Sequence, residues 1–204
     1  MSMKIAVVMS VGVLVGLGGY LYLQSSDEEA LKSLAGSEYV NTVKSDGNDY
    51  SAEALSQMAP EKLMDMQKES FNAVINAATD VSEATAINER PDYISPAEWL
   101  MLTSVAKQKK NADEELVRLV NLVRFNKQLE LLKKTPSDEE RVVLTEAVLN
   151  QLPARIQNKE MSVERAQSVQ LQLIENLYTN QADIRARAAK EAQRIGAVFA
   201  IEQS

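Results

Sequence analysis

Apolar residues along this chain fall into two patterns. The first is an unbroken run: Ile5 to Leu23 reads IAVVMSVGVLVGLGGYLYL, nineteen residues without a charge. About twenty apolar residues span a bilayer as a helix, so the run predicts a transmembrane segment. The second pattern, beyond Pro60, is a series of stripes at helical spacing. Leu63, Met66, Gln67, Phe71, Val74, Ile75 and Ala78 form one; Trp99, Leu102, Val105 and Ala106 another; Leu116, Leu119, Val120, Val123, Leu129 and Leu132 a third. Val143, Leu144, Ala147 and Val148, then Ile184, Ala188, Ile195, Val198 and Phe199, continue the series. No period-two stretch of any length occurs, so strands are not expected. The fold class predicted is all-α: an N-terminal transmembrane helix and a multi-helix body of about six to eight helices.

Start and stop signals divide that body. Ser26-Asp27-Glu28-Glu29 spells a capping box and predicts a short helix to about Ala35. Residues 36–50, GSEYVNTVKSDGNDY, are polar, carry an Asp-Gly turn signal and read as linker. Pro60 opens a helix at the position proline tolerates. Ser95-Pro96-Ala97-Glu98 combines a serine cap, a first-turn proline and a glutamate at the third position. After the polar KQKKNADEE stretch, a long amphipathic helix ends at Lys133 and Lys134, cations suited to a helix C-terminus, and Thr135-Pro136 stops it. Ser137 to Glu140 repeats the capping-box spelling, with Pro153 expected to break or kink that helix after Leu152. Ser162 caps a helix from Val163 to about Tyr178, and Asn180 or Gln181 opens the last one. The organisation read from these signals is an anchor over 1–25, a short helix and polar linker over 26–59, and an α-helical binding domain over 60–204.

Charge bears first on orientation. Lys4 and the amino terminus precede the apolar run and Asp27, Glu28 and Glu29 follow it, so the positive-inside bias puts the body outside the cytoplasm. Tyr20 and Tyr22 stand at the outer end, where aromatic rings anchor at headgroups. A cleaved signal peptide is the alternative, but the run is long and ends in YLYLQSS without an A-x-A-like site. The whole chain carries 22 basic against 29 acidic residues, net −7. A nucleic-acid binder would show a basic footprint instead.

Composition then removes chemistry. There are no cysteines, hence no disulfide framework or thiolate metal site, and no histidines, hence no Ser-His or Cys-His pair. No phosphate-binding glycine loop, dinucleotide turn or H-E-x-x-H helix occurs. Asp46, Asn48 and Asp49 hint at calcium, but the glycine and closing glutamate of an EF-hand loop are missing. Nearly every carboxylate falls at a helix start or on an expected polar face, which reads as solvated. The expectation is therefore a non-enzyme with no cofactor, no metal, no nucleic acid and no small-molecule substrate, acting on a protein partner.

Two places are candidate partner contacts. Glu89 to Trp99, ERPDYISPAEW, gathers two prolines with Arg90, Tyr93 and the single Trp99, residue types that dominate binding hot spots. The competing reading is a stiff loop whose tryptophan plugs the core. Arg124 and Phe125 lie near an apolar stripe and mark either a second contact face or a core edge with the arginine stem along it. Arg185, Arg187, Lys190 and Arg194 are interleaved with Asp183 and Glu191 and read as a solvated helix face.

The segment RFNKQLELLKKTPSDEERVVLTEAVLNQLPARIQ, with its S-x-E-E-R helix start and downstream Q-L-P-A, is similar to the extended helical scaffold of the lipase-specific foldases. SLAGSEYVNTVKSDGND also resembles the S-L-x-G-T and D-G segment that opens a foldase body. The resemblance implies an inner-membrane anchor, a periplasmic helical body and a secreted lipase as client. The family's R-x-x-F-D-Y signature, tied to activating the lipase, is absent, and no functional residue carries over. The expected role is thus an accessory protein for a secreted client such as a lipase or phospholipase, or else a structural subunit of an envelope or secretion complex.

Overall fold

A computed structural model of the chain describes residues 50–78, 83–134 and 137–202. The apolar run 5–23, the Ser26 capping box and the Asp46–Asp49 turn lie outside the described residues. Among those described, no helix is long and apolar enough to cross a membrane. They form seven α-helices, a single 3-10 turn and no strand: α1 Ala52–Ser56, α2 Pro60–Ala73, the 3-10 turn Asn76–Ala78, α3 Pro96–Lys107, α4 Ala112–Lys133, α5 Asp138–Gln157, α6 Val163–Leu177 and α7 Gln181–Glu202. The all-α expectation holds for this body.

The starts follow the spelled signals. The Ser95 Oγ accepts the Glu98 amide at 3.3 Å and the Glu98 carboxylate accepts the Ser95 amide at 2.8 Å, closing the capping box of α3. Ser137 and Glu140 do the same for α5 at 3.3 and 2.9 Å. Ser162 accepts the Arg165 amide at 3.2 Å at the start of α6. Each such cap supplies about 1 kcal/mol by satisfying an amide the helix leaves orphaned.

Two boundaries differ from expectation. The stripe Leu63–Ala78 is not one helix: α2 ends at Ala73, and Val74, Ile75 and Ala78 donate to carbonyls three residues back at 3.3, 3.4 and 3.0 Å. Tightening into 3-10 geometry turns Val74 and Ala78 fully inward. Pro153, in turn, does not break α5, which runs on to Gln157. A proline inside a helix forfeits a bond and costs roughly 3 kcal/mol. Leu149, Leu152 and Ile156 are buried on either side of it, and that packing outweighs the loss.

The centre of the body is α4. Every residue from Leu119 to Phe125 is buried, polar ones included, the mark of a helix enclosed on all sides. Its one flank joins Ile94, Trp99, Leu102 and Ala106, so that α3 and the preceding loop pack on Leu119, Val120 and Val123. Its other flank offers Phe125 to a larger cluster built from Val148, Leu149, Leu152 and Ile156 of α5, Val169, Leu173 and Ile174 of α6, and Ile184 and Ile195 of α7. Gln128 meets Gln151 and Phe125 meets Arg155, so α4 and α5 form an antiparallel hairpin. The loop from residue 83 to 95 straps across this hairpin. Lys134, just beyond α4, sits 3.8 Å from the centre of the Phe71 ring and ties α2 to the same end.

Candidate functional site: a charged seam and groove along the central hairpin

Most described carboxylates are exposed, as expected, but three depart from that expectation and are buried at the joints between helices. Glu98, Glu160 and Glu191 are 5%, 7% and 3% exposed. Each has been drawn inward by a cation on another turn or helix, since an unpaired buried charge is too costly to keep.

The first joint is a hub around Lys127. Its Nζ donates to the Glu98 carboxylate at 2.7 Å and the Tyr93 carbonyl at 2.8 Å, with the Ser70 Oγ at 3.4 Å. Four segments, α2, the strap, α3 and α4, therefore meet on one ammonium group. Burial pushes the Lys127 pKa down, against the pull of Glu98 and Glu130. A lysine beside a serine suggests nucleophilic chemistry, but Ser70 is 4% exposed and its hydroxyl donates to the Gln67 carbonyl at 2.9 Å. The Lys127 ammonium is already claimed by Glu98, so the pair has neither access nor a free base.

The second joint lies where α5 ends. Asn158 caps the helix and Lys159 follows at φ 59°, the left-handed region. The Glu160 amide then reaches back to the Arg155 carbonyl at 2.9 Å and the Lys159 amide to the Ile156 carbonyl at 2.9 Å, the Schellman pattern. That turn swings Glu160 under two guanidinium groups: Arg155 at 2.8 Å and Arg118 of α4 in direct contact. Arg118 also holds Glu115 at 2.7 Å, while Arg155, 1% exposed, reaches Glu83 of the strap at 2.5 Å. Burial pushes the Glu160 carboxyl up against the pull of both arginines, and the Arg118 hydrogen bond pulls Glu115 down. The Glu115 and Glu160 carboxylates in turn push Arg118 up.

Between these joints Asn121 grips the strap. Its Oδ1 accepts the Ala84 amide at 3.1 Å and its Nδ2 donates to the Ala84 carbonyl at 2.9 Å. Alongside lies an open groove of about 690 Å³, bordered by Glu83 and Thr85 of the strap, Lys109 and Lys110 of the α3–α4 turn, and Arg118 and Asn158. A third joint fixes α7 on α5: Arg187 pairs with Glu146 at 2.6 Å and Glu191 at 3.0 Å, and Arg194 reaches Glu191 at 2.7 Å and Asn150 at 2.8 Å. Arg187 and Arg194 thus leave the solvated face expected for them, whereas Arg185 and Lys190 remain exposed. Among the described residues no cluster of carboxylates could hold a metal ion.

The sequence-predicted contact residues divide. Arg90 is half-buried and its guanidinium donates to the Ile94 carbonyl at 2.5 Å, closing the turn before α3. Tyr93 is half-buried and packs on the α3–α4 cluster, to which Trp99, 6% exposed, also belongs. These three come together around one turn. Arg124 and Phe125 are 3% and 1% exposed in the middle of α4. Arg155 lies 5.9 Å over the Phe125 ring. Sequence reasoning missed Lys127, Arg118, Asn121, Arg155 and Glu160. Lys127 and Arg155 had a signal: Lys127 stands four residues after Val123 and Arg155 seven after Val148, both on apolar stripes.

No protein-family model, curated protein or solved structure matches the chain.

Proposed function

We propose that the chain is a membrane-tethered helical binding protein, not an enzyme, which holds a secreted protein client in the periplasm and assists its folding or secretion. The tether is the apolar run 5–23, and a lipase or phospholipase is the client class that the foldase-like stretch 124–157 suggests. One observation carries the reading. The buried ionisable groups are spent on joining helices, and beside them lies an open groove bordered mainly by polar and charged residues rather than an enclosed pocket. Small-molecule sites are largely closed around the ligand; an open groove suits polypeptide. Among the described residues the large exposed apolar side chains Met64, Val142 and Leu171 sit singly on three helices.

The test is an affinity pull-down from cross-linked native envelope, comparing the intact chain with a Lys109→Glu, Lys110→Glu variant. Recovery of a secreted protein, lost in the variant, is the expected result. Stable recovery of inner-membrane secretion components with both chains would replace this reading with a structural subunit of an envelope complex.

A further inference from the structure

We propose that the face of α4 and α5 carrying Asn121 and Arg155 is a seat for an extended acidic segment of a partner polypeptide, which enters along the groove and takes the place now held by Glu83 and Ala84. The inference rests on the client-binding reading and adds the face and the class of segment it takes.

The strap itself displays the ligand chemistry. One side-chain amide, that of Asn121, pairs with both the N–H and the C=O of Ala84 at 3.1 and 2.9 Å. Such a contact reads the peptide backbone and is indifferent to the side chain, as in the addition of an extended segment to a sheet edge. Arg155 supplies the selectivity. At 1% exposure it holds Glu83 at 2.5 Å and Glu160 at 2.8 Å, so losing Glu83 costs it one of two carboxylate partners, which another acid in the same place restores. A displacing segment with Glu or Asp one residue before the position that Asn121 grips is therefore favoured over a neutral one.

Access and charge agree with this. The Glu83 side chain is 24% exposed and Thr85 is exposed, so the held stretch lies at the surface and the groove opens beside it. On the groove wall Glu115 is held by Arg118 at 2.7 Å, while Glu114 accepts from the neutral Asn111 at 2.9 Å and keeps its charge, so with Glu83 displaced Lys109, Lys110 and Arg118 face two acids. Lys109 and Lys110 at the mouth are exposed, so an incoming acidic segment meets positive charge. A tethered strap competes at an effective concentration of roughly millimolar, so the seat is best assayed with the strap weakened.

The probe is a fluorescein-labelled peptide of the sequence Glu83 to Tyr93, measured by anisotropy against the full chain in detergent micelles. A Glu83→Ala chain should bind it saturably, and the unaltered chain about tenfold more weakly because its own strap competes. An E83Q peptide should lose about tenfold, the cost of one charge-assisted bond, and Lys109→Glu, Lys110→Glu added to the Glu83→Ala chain should weaken it further. Absence of saturable binding by a Glu83→Ala chain with unchanged circular dichroism would overturn the seat, whether or not the pull-down recovers a client. Concentration-dependent dimerisation of the unaltered chain that the peptide dissolves would also overturn it, by making the occupant a second copy.

Discussion

Arg155 holds Glu160 twice: its carbonyl oxygen accepts the Glu160 amide at 2.9 Å, and its guanidinium meets the Glu160 carboxylate at 2.8 Å. The backbone contact exists because Lys159 turns left-handed, so the side-chain contact depends on a strained residue one position away. The end of α5 is thereby fastened to the start of the central helix through Arg118.

Lys159 is exposed at φ 59°, a conformation that costs an L-residue roughly 1–2 kcal/mol and glycine almost nothing. Lys159→Gly should therefore raise the urea midpoint, corresponding to about 1 kcal/mol of added stability after glycine's own entropy cost. Lys159→Val, branched at Cβ, should lower it.

The side chains of Lys127 and Glu98 are 5% and 6% exposed. Lys127→Met strands a buried carboxylate and should cost about 3–5 kcal/mol. Adding Glu98→Gln, which keeps an acceptor for the Ser95 amide, should recover part of that loss. A double-mutant cycle in urea showing simple additivity would refute the coupling.

Two of the shifted groups make stability rise with pH, while Glu160, pushed up by burial, opposes them above pH 4.5. Glu115 is held below the ordinary carboxylate value of 4.5 by the Arg118 hydrogen bond, so below that value the unfolded chain binds more protons. Its contribution is present above pH 4.5 and fades as pH falls through the lowered folded value. Lys127 is pushed below its ordinary 10.5 by burial, so between the two values the unfolded chain again binds more protons, and stability rises with pH. Urea titrations should show the acid slope reduced in Glu115→Gln and the alkaline rise removed in Lys127→Met.

Asn121→Ala removes both bonds to Ala84, each worth about 1 kcal/mol, and leaves the strap held by its ends. Hydrogen exchange at the Ala84 amide should accelerate strongly, with little change in the amides of Leu149 and Leu173, which belong to the cluster on the far side of α4. Equal acceleration everywhere would mean that Asn121 supports the whole body rather than the strap.

Helices and their starts were legible because they are written locally. The serine and glutamate of a capping box sit three residues apart, and α3 and α5 begin where the spelling says. The passage of α5 through Pro153 was not legible, since what offsets the lost bond is packing by distant residues. The charged seam was half legible. Lys127, Arg155 and Glu191 interrupt apolar stripes, a conflict that demands a buried partner, but the partners Glu98, Glu83 and Arg187 lie on other turns and only folding selects them. Glu160 left no trace in any stripe; it is delivered by the left-handed residue before it, a lysine where glycine would have advertised the turn.

The enclosure of α4 has a consequence for how this body comes apart. Its residues Leu119, Val120 and Val123 complete one of the two larger apolar clusters and Phe125 completes the second, so neither half of the molecule owns a finished interior. Peeling away α3 or α5 exposes the same short stretch of chain, and nothing that remains can cover it. Loss of structure is then all-or-none: tryptophan fluorescence, which sees only the α3 side, and helical ellipticity, which sees everything, should trace a single superimposable transition, and a fragment ending at Lys134 should have no transition of its own.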